Sequence, residues 1–185
     1  MNQKPSGAAL LLAGLALTVP GLTQTSAAAG TSVRTATFMV SVIVDTDCVI
    51  SGTNALNFGH TGTRLGINPR ASFTQIDQFT RFSVTCSKNT GYTLYLDRGS
   101  VPGSTVNTRL MAGNSPGNED KLQYQLYTDP TYSTLWGDGS SGSANSVGGT
   151  GNGGPQTYTV YGRILDQGMP TPDLYSSIIT ASLTF

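Results

Sequence analysis

The chain has 185 residues, the size of one ordinary domain, and its ten Lys and Arg balance ten Asp and Glu. That balance excludes the basic footprint of a nucleic-acid binder and any strong attraction to anionic lipid. One Glu and three Lys stand against 26 Thr, 19 Ser and 23 Gly, which starves helix surfaces and suits strands and turns, so the expected class is all-β.

At the start, Lys4 precedes an apolar run over residues 8–17. Pro20 and Gly21 break the run, and Ser26-Ala27-Ala28-Ala29-Gly30 offers Ala-x-Ala cleavage sites. This is the layout of a secretory signal peptide over residues 1–29; the run is about half the twenty residues that a membrane span needs. The mature chain is therefore expected to be exported, with no direct membrane insertion.

Residues 35–44 alternate. Ala36, Phe38, Val40, Val42 and Val44 share one face of an extended segment, and Thr35, Thr37, Met39, Ser41 and Ile43 share the other. Cys48 and Cys86 follow. In an oxidising compartment an even pair is expected to close, here around a 38-residue loop worth on the order of 2–4 kcal/mol. Two free thiols or half of a metal site are the alternatives, and a zinc site would have only His60 to draw on as its imidazole.

Further strands are expected over 55–58, 78–86, 92–97, 122–127, 156–164 and 177–185, separated by Gly, Pro, Asn or Asp. Short strands at this spacing predict a two-sheet antiparallel sandwich, each sheet hiding one face against the other. Residues 137–154 carry 8 Gly in 18 positions and are expected to be a mobile surface loop. Its Gly149-Thr150-Gly151-Asn152-Gly153-Gly154 superficially suggests a phosphate cradle, but a strand-like segment follows, not the helix N-terminus a cradle needs.

The catalytic inventory is thin. Any nucleophile would have to share His60, which sits in the turn-like Phe58-Gly59-His60-Thr61-Gly62. Gly113-Asn114-Ser115-Pro116-Gly117 matches the Gly-x-Ser-x-Gly elbow, yet the residue after the serine is proline and has no N–H for an oxyanion hole. Glu119 and Asp120 lie in a polar turn; Asp45 and Asp47, two apart in an extended segment, share a face without a proton-accepting partner; Asp138 before Gly139 could bind calcium weakly but lacks a ligand ladder and reads as a solvated turn. No catalytic residue, metal or cofactor is expected.

Taken in order, Phe38-Met39-Val40-Ser41-Val42-Ile43-Val44, Cys48-Val49-Ile50-Ser51, Leu56-Asn57-Phe58-Gly59, Phe82-Ser83-Val84-Thr85-Cys86 and Gly91-Tyr92-Thr93-Leu94-Tyr95-Leu96-Asp97 form a recognisable series. Arg109-Leu110-Met111, Leu122-Gln123-Tyr124-Gln125-Leu126-Tyr127, Trp136-Gly137-Asp138-Gly139, Tyr158-Thr159-Val160-Tyr161-Gly162-Arg163-Ile164 and the closing run 175–185 continue it. This series resembles the spore coat U domain family, the group that contains the subunits of archaic (Csu-type) chaperone–usher pili. Two details depart from the family pattern: Ala181 stands where a larger β-branched residue is more usual, and the glycine-rich loop is long.

The resemblance implies an incomplete immunoglobulin-like β-sandwich over 48–185, completed by donor-strand complementation from the extension 30–47 of another subunit. The donor face would be Phe38, Val40, Val42 and Val44. The C-terminal strand, with Ile179, Ala181, Leu183 and Phe185 on one face, would be offered to a periplasmic chaperone before assembly at an outer-membrane usher. The implied partners are other pilin subunits, the chaperone and the usher; the implied place is the cell surface, and the implied role is adhesion and biofilm formation. Sequence periodicity alone equally allows 35–44 to pair within its own chain. Two other readings belong to different classes: a self-contained glycan-binding sandwich stacking sugars on Tyr124, Tyr132, Trp136 or Tyr158, and a coat-layer protein.

Overall fold

In the computed structural model, residues 30–60, 72–73, 75–140, 146–168 and 170–185 are described; the expected signal peptide lies outside them. All described secondary structure is β, and no helix among these residues is long and apolar enough to cross a membrane. The strands fall in one compact unit, Ile43–Phe185. Of the unit Met1–Val42, residues 30–42 are described; they carry no strand and are exposed.

Four long strands carry the alternation that the sequence promises. In β3 (Ile76–Cys86) Phe82, Val84 and Cys86 point inward, and in β4 (Gly91–Leu96) Tyr92, Leu94 and Leu96 do so. Leu122, Tyr124 and Leu126 of β6 (Lys121–Tyr127) and Val160 and Ile164 of β8 (Pro155–Ile164) complete the pattern. These side chains form one core with Met111 and Trp136, so the two-residue period builds both layers around a shared interior.

The larger sheet has six strands in the order β1-β3-β8-β6-β5-β10, with β1 at Cys48–Ser51, β5 at Arg109–Gly113 and β10 at Tyr175–Ser176. The smaller has the order β11-β4-β7, with β7 at Val147–Thr150 and β11 at Ala181–Thr184. A two-stranded ribbon joins β2 (Ser72–Phe73) to β9 (Gln167–Gly168). All pairings are antiparallel; β1 sits on β3 with Cys48 opposite Cys86, and that pair is closed as a disulfide with Cα atoms 4.1 Å apart. The chain is thus an all-β, incomplete immunoglobulin-like sandwich.

Three expectations are corrected. Residues 35–44 form no strand and pair with none of the sheets. Residues 55–58 are not a strand either; Leu56 and Phe58 instead lie over Gly162 of β8, where an added Cβ would come within 2.8 Å of Leu56 Cδ1. Gly162→Ala is therefore expected to push Leu56 and Phe58 off the sheet and cost about 1–3 kcal/mol in a urea titration. The glycine-rich stretch is not wholly loop: β7 lies inside it and pairs with β4, Tyr92 standing opposite Gly149. Glycine serves packing there, since a Cβ on Gly149 would meet the Tyr92 and Tyr158 rings.

Candidate functional site

Between the outer strands of the two sheets the sandwich is open. On one side β1 runs into residues 53–58, held by the Thr80 hydroxyl donating to the Asn54 carbonyl at 2.9 Å. On the other side residues 177–184 run along β4. The Ser100 N–H donates to the Ile178 carbonyl and the Asp97 N–H to the Thr180 carbonyl, each at 3.0 Å. The Ile178 N–H returns a bond to Ser100 Oγ and the Thr180 N–H one to Asp97 Oδ1. Strand alternation then turns the backbone groups of Ser177, Ile179 and Ala181 toward the opposite edge, the open one.

The gap between these lips is a cavity of about 270 Å³. Its floor is Phe82, Leu96, Met111, Tyr124, Leu126 and Val160, and its lips include Leu56, Phe58, Ile179 and Ala181. The lip side chains are only half-buried although they pack on the core. An engineered apolar void of ~150 Å³ already accepts a benzene ring, so this one has room for side chains from outside.

One end of the cavity is polar. The Tyr124 hydroxyl and Ser177 Oγ are buried beside one another and neither bonds any other group; both lie beneath Gly99, whose added Cβ would stand 3.3 and 2.8 Å from them. Burial pushes the Tyr124 phenol up, with the neighbouring Ser177 hydroxyl and the Arg109 charge pulling less strongly the other way.

Behind the floor, Arg109 is wholly buried. Its guanidinium donates to the carbonyls of Asp97 (2.9 Å), Leu96 (3.1 Å), Trp136 (2.7 Å) and Val106 (3.5 Å), tying the end of β4 to two loops. Burial lowers its pKa, offset by Tyr124, Asp97 and Asp138.

The C-terminal lip is held at its start by Asp173, which accepts from the Ser115 N–H at 2.8 Å, the Ser115 hydroxyl at 2.9 Å and the Asn118 amide at 2.8 Å. These bonds, the Ser115 N–H foremost, lower its pKa to about 2. A carboxylate whose folded pKa is depressed contributes above its unfolded value and loses that contribution as pH falls through the folded one. The stability contribution is therefore expected to fade as pH drops from about 4 toward 2, the Ser115 amide resonance to titrate at the folded value of about 2, and Asp173→Asn to remove that inflection.

The residues expected to act as donor face lie on the surface. Phe38, Val40, Val42 and Val44 are 83–86% exposed, and Met39 and Ile43 beside them are equally bare. The extension is anchored where it enters β1: the Ser87 N–H donates to the Asp47 carbonyl at 2.9 Å and the Asp47 N–H to Ser87 Oγ at 3.0 Å. Of the C-terminal set, Ile179 and Ala181 line the groove, Leu183 packs half-buried on the core and Phe185 is exposed.

The sequence missed Arg109, Tyr124 and Ser177 as parts of the site. An arginine opening an apolar run was the available signal for the first; nothing local marked the other two.

Elsewhere, among the described residues, no catalytic arrangement is assembled. Ser115 pairs with Asp173 in a turn, and His60 is exposed. No group of three or more potential metal ligands occurs among the described residues. Asp120 accepts from the Thr171 N–H and hydroxyl, each at 2.7 Å, and so serves as a loop tie. Of the four aromatics considered for sugar stacking, Tyr124 and Trp136 are buried in the core and Tyr158 stacks on Phe82. Tyr132 is covered by the Arg163 guanidinium 3.8 Å from its ring centre.

A sandwich with one open seam, lined by apolar side chains on both lips, defines the class of incomplete immunoglobulin-like domains. The chain belongs to the Spore Coat Protein U domain family, whose model matches residues 34–182. No curated protein matches it. Among solved structures it is similar to a chain in the crystal structure of the CsuC–CsuE chaperone–tip adhesion subunit pre-assembly complex, from the archaic chaperone–usher Csu pili of Acinetobacter baumannii. That likeness has a TM-score of 0.50 at 23% identity and covers 77% of this chain and 40% of the other. This chain thus spans less than half the length of the one it matches.

Proposed function

We propose that the protein is a structural subunit of a chaperone–usher surface pilus. It is exported, held by a periplasmic chaperone along Ile179, Ala181, Leu183 and Phe185, and passed to an outer-membrane usher. It polymerises by donor-strand exchange, placing its extension, with Phe38, Val40, Val42 and Val44 inward, in the groove of the next subunit. The assembled fibre serves adhesion and biofilm formation, and the subunit performs no catalysis.

The observation that carries this reading is the pairing of two unmet needs in one chain. An apolar seam lies open between two strand edges, and an alternating apolar segment of strand length is unpaired and exposed. Open edges and exposed apolar strands are aggregation hazards until another strand closes them, and strand addition does so with main-chain hydrogen bonds and alternate side chains. Family membership and the fold shared with a chaperone–subunit complex support the same assignment.

Gel migration of the exported chain tests it. Unboiled samples should give a ladder that collapses to one band on boiling. A single species under both conditions would contradict polymer formation.

A further inference from the structure

Resting on that reading, we infer that Tyr124 and Ser177 set the register of the incoming strand, and that the group they receive is the Thr46 hydroxyl of a second copy of this chain.

The apolar donor residues fix their own position only in part. Val40, Val42 and Val44 are identical and two residues apart, so a slip by two still sets valine where valine stood at two of the four positions, and the residue it displaces, Phe38, lies against the exposed Phe185. Some other feature must distinguish one register from the next. The groove contains such a feature: two neighbouring buried hydroxyls that bond no other group, whereas the polar side chains of Thr80 and Arg81 in the same lining are already bonded to the Asn54 carbonyl and the Thr159 hydroxyl. An unpaired buried hydroxyl is unfavourable, so the occupied groove is most stable when the incoming strand brings a hydrogen-bonding group to that end.

Pairing the two segments residue by residue shows which group this is. Laid antiparallel to residues 177–185, the donor can place Val44 opposite Ile179, Val42 opposite Ala181, Val40 opposite Leu183 and Phe38 opposite Phe185. The next inward residue, Thr46, then falls opposite Ser177. Polar meets polar once, and every other pair is apolar. A slip of two in one direction puts Val44 against Ser177 and gives the hydroxyl pair no partner from the incoming strand. A slip in the other direction puts Thr46 against Ile179. The parallel arrangement with Phe38 at Ile179 brings Ala36 to Ser177 and fails for the same reason.

The arrangement also agrees with the anchor on the donor's own body. Asp47 is tied to Ser87, so Thr46 is the last inward-facing residue before the extension joins its own sandwich.

The test is solid-state NMR on fibres assembled from valine-labelled full-length chain. The wild type should give one set of signals for Val40, Val42 and Val44, with contacts from Val44 to Ile179 and from Val42 to Ala181. Thr46→Val, which alters only an exposed residue of the free subunit, should give two or more sets, as should the double variant Tyr124→Phe with Ser177→Ala. Thr46→Ser should restore the single set. Unchanged single-register fibres from both Thr46→Val and the double variant would overturn the inference, as would wild-type contacts in another register. Absence of wild-type fibres would instead sink the assembly reading beneath it.

Discussion

Removal of residues 31–45 is expected to abolish the heat-sensitive ladder completely and leave a chaperone-bound monomer. The cut leaves the compact unit's strands intact, since the first of them begins at Cys48. It removes Phe38, Val40, Val42 and Val44, each worth about 1.5–3 kcal/mol when taken out of water. It also removes the backbone groups that would pair with the open edges. Nothing else in the described chain combines an unpaired extended backbone with alternating exposed apolar side chains, so no other segment can substitute. Co-purification with the chaperone, followed by gel migration with and without boiling, reads both halves of the result. A truncated chain that still forms a ladder would show that the donor lies elsewhere.

Arg109→Met is expected to destabilise the sandwich by about 3–5 kcal/mol, because four carbonyls lose their buried donor at once. Methionine fills much of the volume, so the loss is chiefly of hydrogen bonds. The carbonyls of Asp97, Leu96, Trp136 and Val106 would be left facing an apolar side chain. Each buried unsatisfied group costs about 1–3 kcal/mol, less than additively because the loops can relax. Two of the freed carbonyls belong to the end of β4, which the C-terminal lip grips at Asp97. The variant should therefore lose donor uptake as well as stability. Lys at this position is not a conservative replacement, because a point charge cannot serve four acceptors as the planar fork does. Urea unfolding monitored by Trp136 fluorescence measures the change; a midpoint within error of wild type would contradict this account of Arg109.

The sequence made some of this legible and hid the rest for identifiable reasons. The strands around Phe82, Leu94, Tyr124 and Val160 were readable because each buries one face only, so the two-residue period survives in the amino-acid order. The same period in residues 35–44 signals an extended segment with one apolar face, yet it forms no strand in the isolated chain. Periodicity records what a strand packs against and not whose strand it is. β5 was not expected as a strand because its buried face begins with Arg109, and charge at a core position imitates a loop. β7 was hidden by glycines that are there for close approach; a Cβ on Gly151 just beyond it would collide with the Ser87 carbonyl. The Cys48–Cys86 bridge was expected from export and parity alone. The groove was not readable at all from the residues themselves, since Leu56, Ile179 and Leu126 look like any core residues until the sheets are assembled.

Calorimetric melting of a chain lacking residues 31–45, with and without a synthetic peptide of residues 30–47, tests the central claim most directly. A ligand that binds only the folded state at 100 times its dissociation constant adds about 2.7 kcal/mol. The account predicts a low melting temperature for the open sandwich and a clear rise, increasing with peptide concentration, when the groove is filled. A truncated chain that melts high and is indifferent to saturating peptide would contradict it.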